Sequence, residues 1–469
     1  VSFLMELLQD PVPAVRSTAI KTAAQKHNDE VIMALVDNLG SPLFGNQAMS
    51  ALVLIGSKTL NLLETAFYRY GNNSQVLTRI IQAIGRIGGN RAKDLLWNKI
   101  DYPDKMIVSQ VLLSLGVCGF KAGVSQITRI KYAIESDIAD ISWNLNAIME
   151  IGSNGDAMII RQALEREIQN DIQHIYMLLA MLYDTHSIQL VKENIESGTT
   201  EGTTYAVELL DVFLSESLKQ RVIPVLDDLS VSERIKRLET FYPRVELSDK
   251  LVLKFLINRD FSQSNRWTKA TVLHQIGVLK VEDFKLDLIA QLFNNDNLIR
   301  EVAAWALNQI DPNEYQTNSR RLGAEVKDSL DQVIFEREHQ TRQMLYSKVM
   351  FFKSIDVFEG IPGVALSNLA DISSEIKMET QGSLVVDSRV NNDFYIVYSG
   401  LVEFYEKGNL KNEYSEGQFI GEMVSSPGFV NTNVLKAKKE TVLLSVNKDQ
   451  FYELLADNVR LADRVLEYI

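Results

Sequence analysis

Apolar residues recur with a helical period from the start of the chain to about Pro312, then switch to a two-residue alternation from about Met350 onward. Val76, Leu77, Ile80, Ile81 and Ile84 form one helical stripe. Such stripes close on an Ile/Leu-Gly step at Ile55-Gly56, Ile87-Gly88, Leu115-Gly116, Ile151-Gly152 and Ile276-Gly277. The first four of these glycines stand 32, 28 and 36 residues apart, room for two helices and two turns each. A glycine after the stripe predicts a helix C-cap, because it accepts a left-handed backbone. Two units are sharper: Asp10-Pro11-Val12-Pro13-Ala14-Val15-Arg16 leads into Ala19-Ile20, and Asp296-Asn297-Leu298-Ile299-Arg300 leads into Val302-Ala303-Ala304-Trp305. In each, an acidic or Asn residue caps a helix and a β-branched residue enters the core. The arginine then reaches carbonyls or acids of the neighbouring unit, and the alanines allow close helix approach.

This pattern resembles the HEAT-repeat family of armadillo-type helical repeats over roughly Val1 to Pro312, although Asp156 to Leu256 is helical with poor periodicity. The resemblance implies an α-solenoid, and stacked repeats expose a long surface suited to a protein partner. The bland alternative is a spacer that positions the next domain.

Residues 313–346 are more charged, and Val326, Leu330 and Val333 keep one apolar stripe through them. With no Pro or Gly after Gly323, the segment predicts an amphipathic connector helix, either coupling the flanking domains or simply solvated.

From 347 to 469 short strands alternate with Gly and Asn turns. Ser383–Val386 is one strand, Asp393–Tyr405 a pair bent at Ser399-Gly400, and Thr441–Val446 another. A helix follows around Gln450–Leu455, and a last one runs from Val459. Phe351-Phe352-Lys353-Ser354-Ile355 with Phe358-Glu359-Gly360, then Phe394–Gly400, Gly417–Glu422 and the Thr441–Leu455 strand-helix resemble, in order and spacing, the cyclic-nucleotide-binding-domain family. That resemblance implies a β-barrel with flanking helices. Its pocket segment here includes Phe419, Ile420, Gly421, Glu422, Met423, Asn431 and Thr432. In the family, a short helix after the Phe-Gly-Glu step presents N–H groups to a cyclic phosphate, a glutamate accepts the ribose hydroxyl, and an arginine pairs with the phosphate. Glu422 takes the glutamate position, but neutral Asn431 falls at or near the arginine position, and Pro427-Gly428 interrupts the short helix. Lys436 and Lys438 remain as sources of positive charge, and strand alternation leaves open whether either faces inward.

Composition narrows the function classes. A net charge of −13 disfavours nucleic acid and anionic membrane surfaces as partners. One cysteine, Cys118, permits no internal disulfide and fits a reducing compartment. The five histidines lie far apart and none has metal-ligand spacing, so no metal is expected. Glycine-rich Gly85–Gly89 and Gly116–Gly119 follow helices and lack the Lys-Ser/Thr of a phosphate loop. No run approaches the ~20 apolar residues of a membrane-spanning helix. The chain opens at Val1 inside a helical pattern, as expected of a fragment, and a covalently attached upstream membrane domain stays open.

The chain is thus expected to be mainly α, with a HEAT-like solenoid at 1–312, a connector at 313–346 and a cyclic-nucleotide-binding-like domain at 347–469. It is expected to be non-enzymatic, regulatory or scaffolding, and cytoplasmic or at the cytoplasmic face of a membrane. It should bind a protein partner through the solenoid and need no cofactor beyond a weakly held cyclic nucleotide. Two further readings stay open. The domain order resembles the soluble C-terminal part of some bacterial ADP/ATP-translocase-like nucleotide carriers, and a functional cAMP/cGMP sensor is the other.

Overall fold

The computed structural model describes residues 2–468 except 27, 72, 153–154, 336–341, 388–391 and 422–431. The chain divides into two compact units, Val1–Thr271 and Val272–Ile469. The expected boundaries at 312/313 and 346/347 both fall within the second unit. Among the described residues no strand precedes Ser373, and no helix is long and apolar enough to cross a membrane.

The first unit is helical. It runs α1 (Ser2–Leu7), α2 (Pro13–Ala23), α3 (Asp29–Asp37), α4 (Gly45–Ile55), α5 (Leu60–Arg69), α6 (Ser74–Ile87), α7 (Gly89–Trp97) and α8 (Lys105–Val117). The longer α9 (Ile127–Glu150) and α10 (Asp156–Leu182) follow, then α11 (Thr185–Glu196), α12 (Thr200–Phe213), α13 (Glu216–Leu226), α14 (Val231–Leu238) and α15 (Asp249–Asn258). The division between units falls inside α16 (Arg266–Leu279). Helices two apart pack on one another in sequence: α2 on α4, α4 on α6, α6 on α8 and α8 on α10, with α3, α5 and α7 forming a second row. The predicted stripe of α6 is buried throughout, and Arg79 is buried with it. Its guanidinium donates to the carbonyls of Leu39 (2.5 Å) and Ser41 (3.2 Å), capping the turn before α4 from inside. A charged side chain is tolerated there because it satisfies carbonyls left over at a helix end.

The predicted glycine caps divide into two kinds. Gly56 and Gly88 end α4 and α6 at φ +81° and +68°, as expected. Gly116 lies inside α8, which Gly119 follows at φ +62°, and α9 ends before Gly152. Gly277 lies inside α16 for another reason: a Cβ there would sit 2.6 Å from the Trp305 ring. The two sharper units also differ. Asp296 caps its helix, accepting from the amides of Leu298 (2.9 Å) and Ile299 (3.3 Å). Asp10 accepts from Val12 N outside α2, and Arg16 donates to the side-chain carbonyl of Asn38 (2.8 Å).

The second unit begins with α17 (Lys285–Leu292), α18 (Asn297–Ile310), α19 (Pro312–Ser319), α20 (Ala324–Ile334), α21 (Leu345–Lys353) and α22 (Gly363–Ile372). The expected single connector helix is therefore two helices broken at Arg320–Gly323, where Gly323 precedes α20. Of its predicted stripe Leu330 is buried, while Val326 and Val333 are half-buried. Two carboxylates fix the chain that follows. Buried Glu301 on α18 pairs with Arg342 (2.7 Å) and accepts from Leu345 N (2.9 Å). Glu375 accepts from Gln343 N (3.0 Å) and pairs with buried Lys348 (2.9 Å).

Eight strands then form two antiparallel four-stranded sheets. They are β1 (Ser373–Met378), β2 (Ser383–Asp387), β3 (Asp393–Ser399), β4 (Leu401–Glu406), β5 (Asn409–Ser415), β6 (Phe419–Ile420), β7 (Thr432–Ala437) and β8 (Thr441–Asn447). The orders are β1-β8-β3-β6 and β2-β7-β4-β5. α23 (Lys448–Asp457) and α24 (Val459–Tyr468) close the unit. The two strands expected on either side of Ser399-Gly400 are β3 and β4, and the bend between them is not a hairpin. Gly400, at φ +105°, turns the chain from one sheet into the other, and Thr441 pins the corner by accepting from Leu401 N (3.2 Å). β4 makes its hairpin with β5 through Lys407-Gly408, both at positive φ, as a two-residue turn requires. Tyr395, Val397, Val402, Ile420, Leu435, Ala437 and Leu443 fill the core shared by the two sheets.

Candidate functional site

Strand β6 is two residues long and hangs on the edge of its sheet, with Ile420 opposite Tyr395 and Phe419 opposite Ile396. The turn before it is tightly held. Gly417 lies at φ +82°, its N–H donates to Val397 O (2.9 Å), and Gln418 Oε1 accepts from Ser415 N (2.7 Å). The predicted site residues then separate by role. Ile420 is buried in the core, beneath a Tyr395 whose burial pushes its phenol up to about 12. Phe419 turns the other way, its ring 5.9 Å from Phe358, 6.4 Å from Phe394 and 5.8 Å from Tyr468. It therefore joins the strand to the flanking helices. Gly421 adopts φ +91°, with room around a notional Cβ, so backbone conformation is what calls for glycine there. Glu422, Met423 and Asn431 lie outside the described residues. Thr432 opens β7 opposite Asp387, and its side chain is likewise outside them.

The two lysines left open by the sequence have definite positions. On β7, Leu435 and Ala437 are buried while Lys436 is exposed, and so is Lys438 just past the end of the strand. Lys436 stacks over the Tyr405 ring, 4.9 Å from its centroid. Lys438 pairs with Glu413 and, at 3.3 Å, with Glu403; hydrogen bonds to these carboxylates, Glu413 first, hold its ammonium above the usual lysine range. Both charges are held on the outer face of the sheet, away from the core.

Beside Phe419 lies a cavity of about 580 Å³ between the start of the domain, the β5–β6 turn and α24. Ser354, Asp356, Glu416, Gln418 and Tyr468 line it, and its charged lining residues are the two acids. A phosphate entering there would meet these two acids and no cation among the lining residues. Sequence reasoning missed Glu301 and Glu375, which fix the entry to α21. Isolated acids on a helix and on a charged strand carry no spacing signal.

No family model and no curated protein matches the chain. Solved structures to which it is similar include the sensor domain of the transcriptional regulator DNR from Pseudomonas aeruginosa, at 19% identity over 26% of this chain and 87% of that one, with a TM-score of 0.24. A cyclic nucleotide-binding-like protein from Brucella abortus matches at 16% identity over 24% of this chain and 98% of its own, with a TM-score of 0.19. The regulatory domain of Toxoplasma gondii PKA with cAMP matches at 17% identity over 32% of this chain and 57% of that one, with a TM-score of 0.24.

Proposed function

We propose that the chain is a non-catalytic regulatory protein. Its helical part acts as a HEAT-like solenoid that binds a protein partner, and its C-terminal part is a sensor-type domain that has lost strong affinity for cyclic nucleotides. The observation that carries the second half is the outward placement of Lys436 and Lys438, tied to Tyr405, Glu403 and Glu413. With Asn431 in place of a basic residue, neither lysine is available to replace a buried phosphate partner. Charge-assisted hydrogen bonds are about twice as strong as neutral ones. The expected affinity for cAMP or cGMP is therefore roughly −5 to −6 kcal/mol, a high-micromolar dissociation constant. Isothermal titration of the full chain tests this, and a sub-micromolar constant would overturn it. The row-on-row packing of α2, α4, α6 and α8 supports the solenoid reading. The net charge of −13 favours a partner segment that is basic. Co-purification with mass spectrometry would identify it, whereas micromolar, salt-sensitive binding to duplex DNA would exclude this reading of the surface.

A further inference from the structure

Polar side chains of α8, α9 and α10 converge in the interior of the first unit. Asp137 and Asp140 project from α9, and Glu167, Asp171 and His174 from the facing side of α10. Most of these are satisfied. Glu167 accepts from Asn265 N and Thr268 Oγ1, each at 2.7 Å. Asp140 faces Arg259 (3.5 Å), Lys105 (3.8 Å) and Gln263 (3.3 Å). Lys105 also pairs with Oδ1 of Asp171. What remains is Oδ2 of the fully buried Asp171, which accepts no hydrogen bond, and the carboxylate of Asp137, which faces His174.

His174 decides what faces that remainder. Ser109 Oγ lies 2.9 Å from the carbonyl of Lys105 and 2.6 Å from His174 Nε2. Its single proton satisfies both contacts only if it goes to the carbonyl, which leaves the hydroxyl oxygen to accept from Nε2–H. Asn170 Nδ2 lies farther off, 3.4 Å from Nε2, and this tautomer requires the Asn170 amide to turn so that its oxygen accepts from the same N–H. In the neutral imidazole Nδ1 then carries a lone pair, 3.8 Å from Asp137 Oδ1. That is an acceptor facing an acceptor in a buried site, at a separation too long for a hydrogen bond. One donor atom each from Asp137, Asp171 and His174 lies within 4.8 Å of the others. Two ligands on one zinc ion, at bonds of roughly 2.0–2.2 Å, stand about 3.3 Å apart, so a modest contraction would close the set.

We propose that Asp137, Asp171 and His174 form a binding site for a divalent transition-metal ion of the zinc type, with water completing the coordination. One imidazole and two carboxylates make a borderline donor set that suits such a cation. Ser109 and Lys105 serve as the outer partners that fix the histidine tautomer and orient the Asp171 carboxylate.

The test uses the chelator-treated full chain, titrated with Zn²⁺ in competition with a chromophoric chelator. The site predicts one equivalent bound with a sub-micromolar dissociation constant, weakened at least 100-fold in His174→Ala and in Asp137→Asn. His186→Ala, at an exposed position on α11, should bind as the parent does. Asp137 is partly exposed, so its variant decides the matter if His174→Ala fails to fold. Cobalt substitution should add visible absorption that Asp137→Asn abolishes. Absence of sub-micromolar binding in the parent chain, or binding unchanged in both variants, would overturn the proposal and leave a proton between His174 and Asp137.

Discussion

Arg79 fills the space that a side chain at position 45 would need: a Cβ on Gly45 would lie 1.7 Å from Arg79 Nη1 and 2.7 Å from the Leu39 carbonyl oxygen. The same guanidinium caps Leu39 and Ser41, so one glycine on α4 licenses a buried arginine on α6. Gly45→Ala should displace that cap and destabilise the chain by about 2–4 kcal/mol. Gly116→Ala, exposed within α8 at an ordinary φ with open space around it, should instead gain roughly 0.4–1 kcal/mol. Urea denaturation of the two variants side by side would check both signs.

The corner between the sheets makes a second contrast. A Cβ on Gly400 would lie 2.3 Å from Thr441 Oγ1 and 2.7 Å from Thr441 Cα, at φ +105°. Gly400→Ala should cost about 3 kcal/mol or more, since both backbone strain and overlap oppose it. Gly408→Ala, at φ +80° but with nothing nearby, meets strain alone and should cost nearer 1 kcal/mol. Equal losses in the two melting curves would contradict the placement of the corner.

Glu301 should leave a signature in the pH dependence of stability. Burial is the largest influence on it and raises its carboxyl above the ordinary glutamate range, despite Arg342 and the Leu345 amide. A group whose folded-state value is raised stabilises fully below its unfolded value and loses that contribution as pH rises through the folded value. The parent chain should therefore lose stability relative to Glu301→Gln as pH rises from the ordinary glutamate range toward neutrality. Denaturation at a series of pH values measures this difference, and a difference flat with pH would refute it.

Replacing Asn431 by arginine supplies the charge missing from the sequence motif. Asn431→Arg should tighten cAMP binding at least tenfold, in line with the greater strength of charge-assisted bonds to phosphate. Calorimetry of the variant against the parent would show it. No change would mean that the segment around Gly421 does not receive a phosphate at all.

The fold was legible wherever burial and hydrophobicity coincide. The stripe of α6, the strands β3 and β8 and the Asp296 cap appear where the pattern places them. Legibility fails where buried positions are polar. Asp156 to Leu256 reads as poorly periodic partly because the interior face of α10 carries Glu167, Asp171 and His174 alongside its apolar residues. β1 and β5 escape for a related reason: Glu375, Lys377, Lys411 and Glu413 interrupt any apolar run, although β1 pairs with β8 throughout and β5 pairs with β4 across a register shift at Lys411. The bend at Gly400 was visible, but a positive φ between adjacent strands suits a hairpin as well as a crossing between sheets, and only the pairing partners distinguish them. At the candidate site the sequence marked Phe419 and Ile420 together. Strand alternation sends Ile420 into the core and Phe419 to the helices, a division of labour that a contiguous motif conceals.

The central position of β8 bears on how this chain is made. It lies between β1 and β3, both synthesised earlier, and its residues are almost wholly buried. At roughly 5–20 residues per second, the ribosome needs about 2–10 s to travel from the end of β3 to the end of β8. For that interval the nascent chain carries Phe394–Val397 without the neighbour that will cover their backbone groups, an open edge of the kind that attracts other chains. The helical unit has by then already emerged and has no strand to wait for. Any slowing of translation between β3 and β8 would therefore lengthen the vulnerable period of the C-terminal unit alone, and a holding chaperone would act most usefully there.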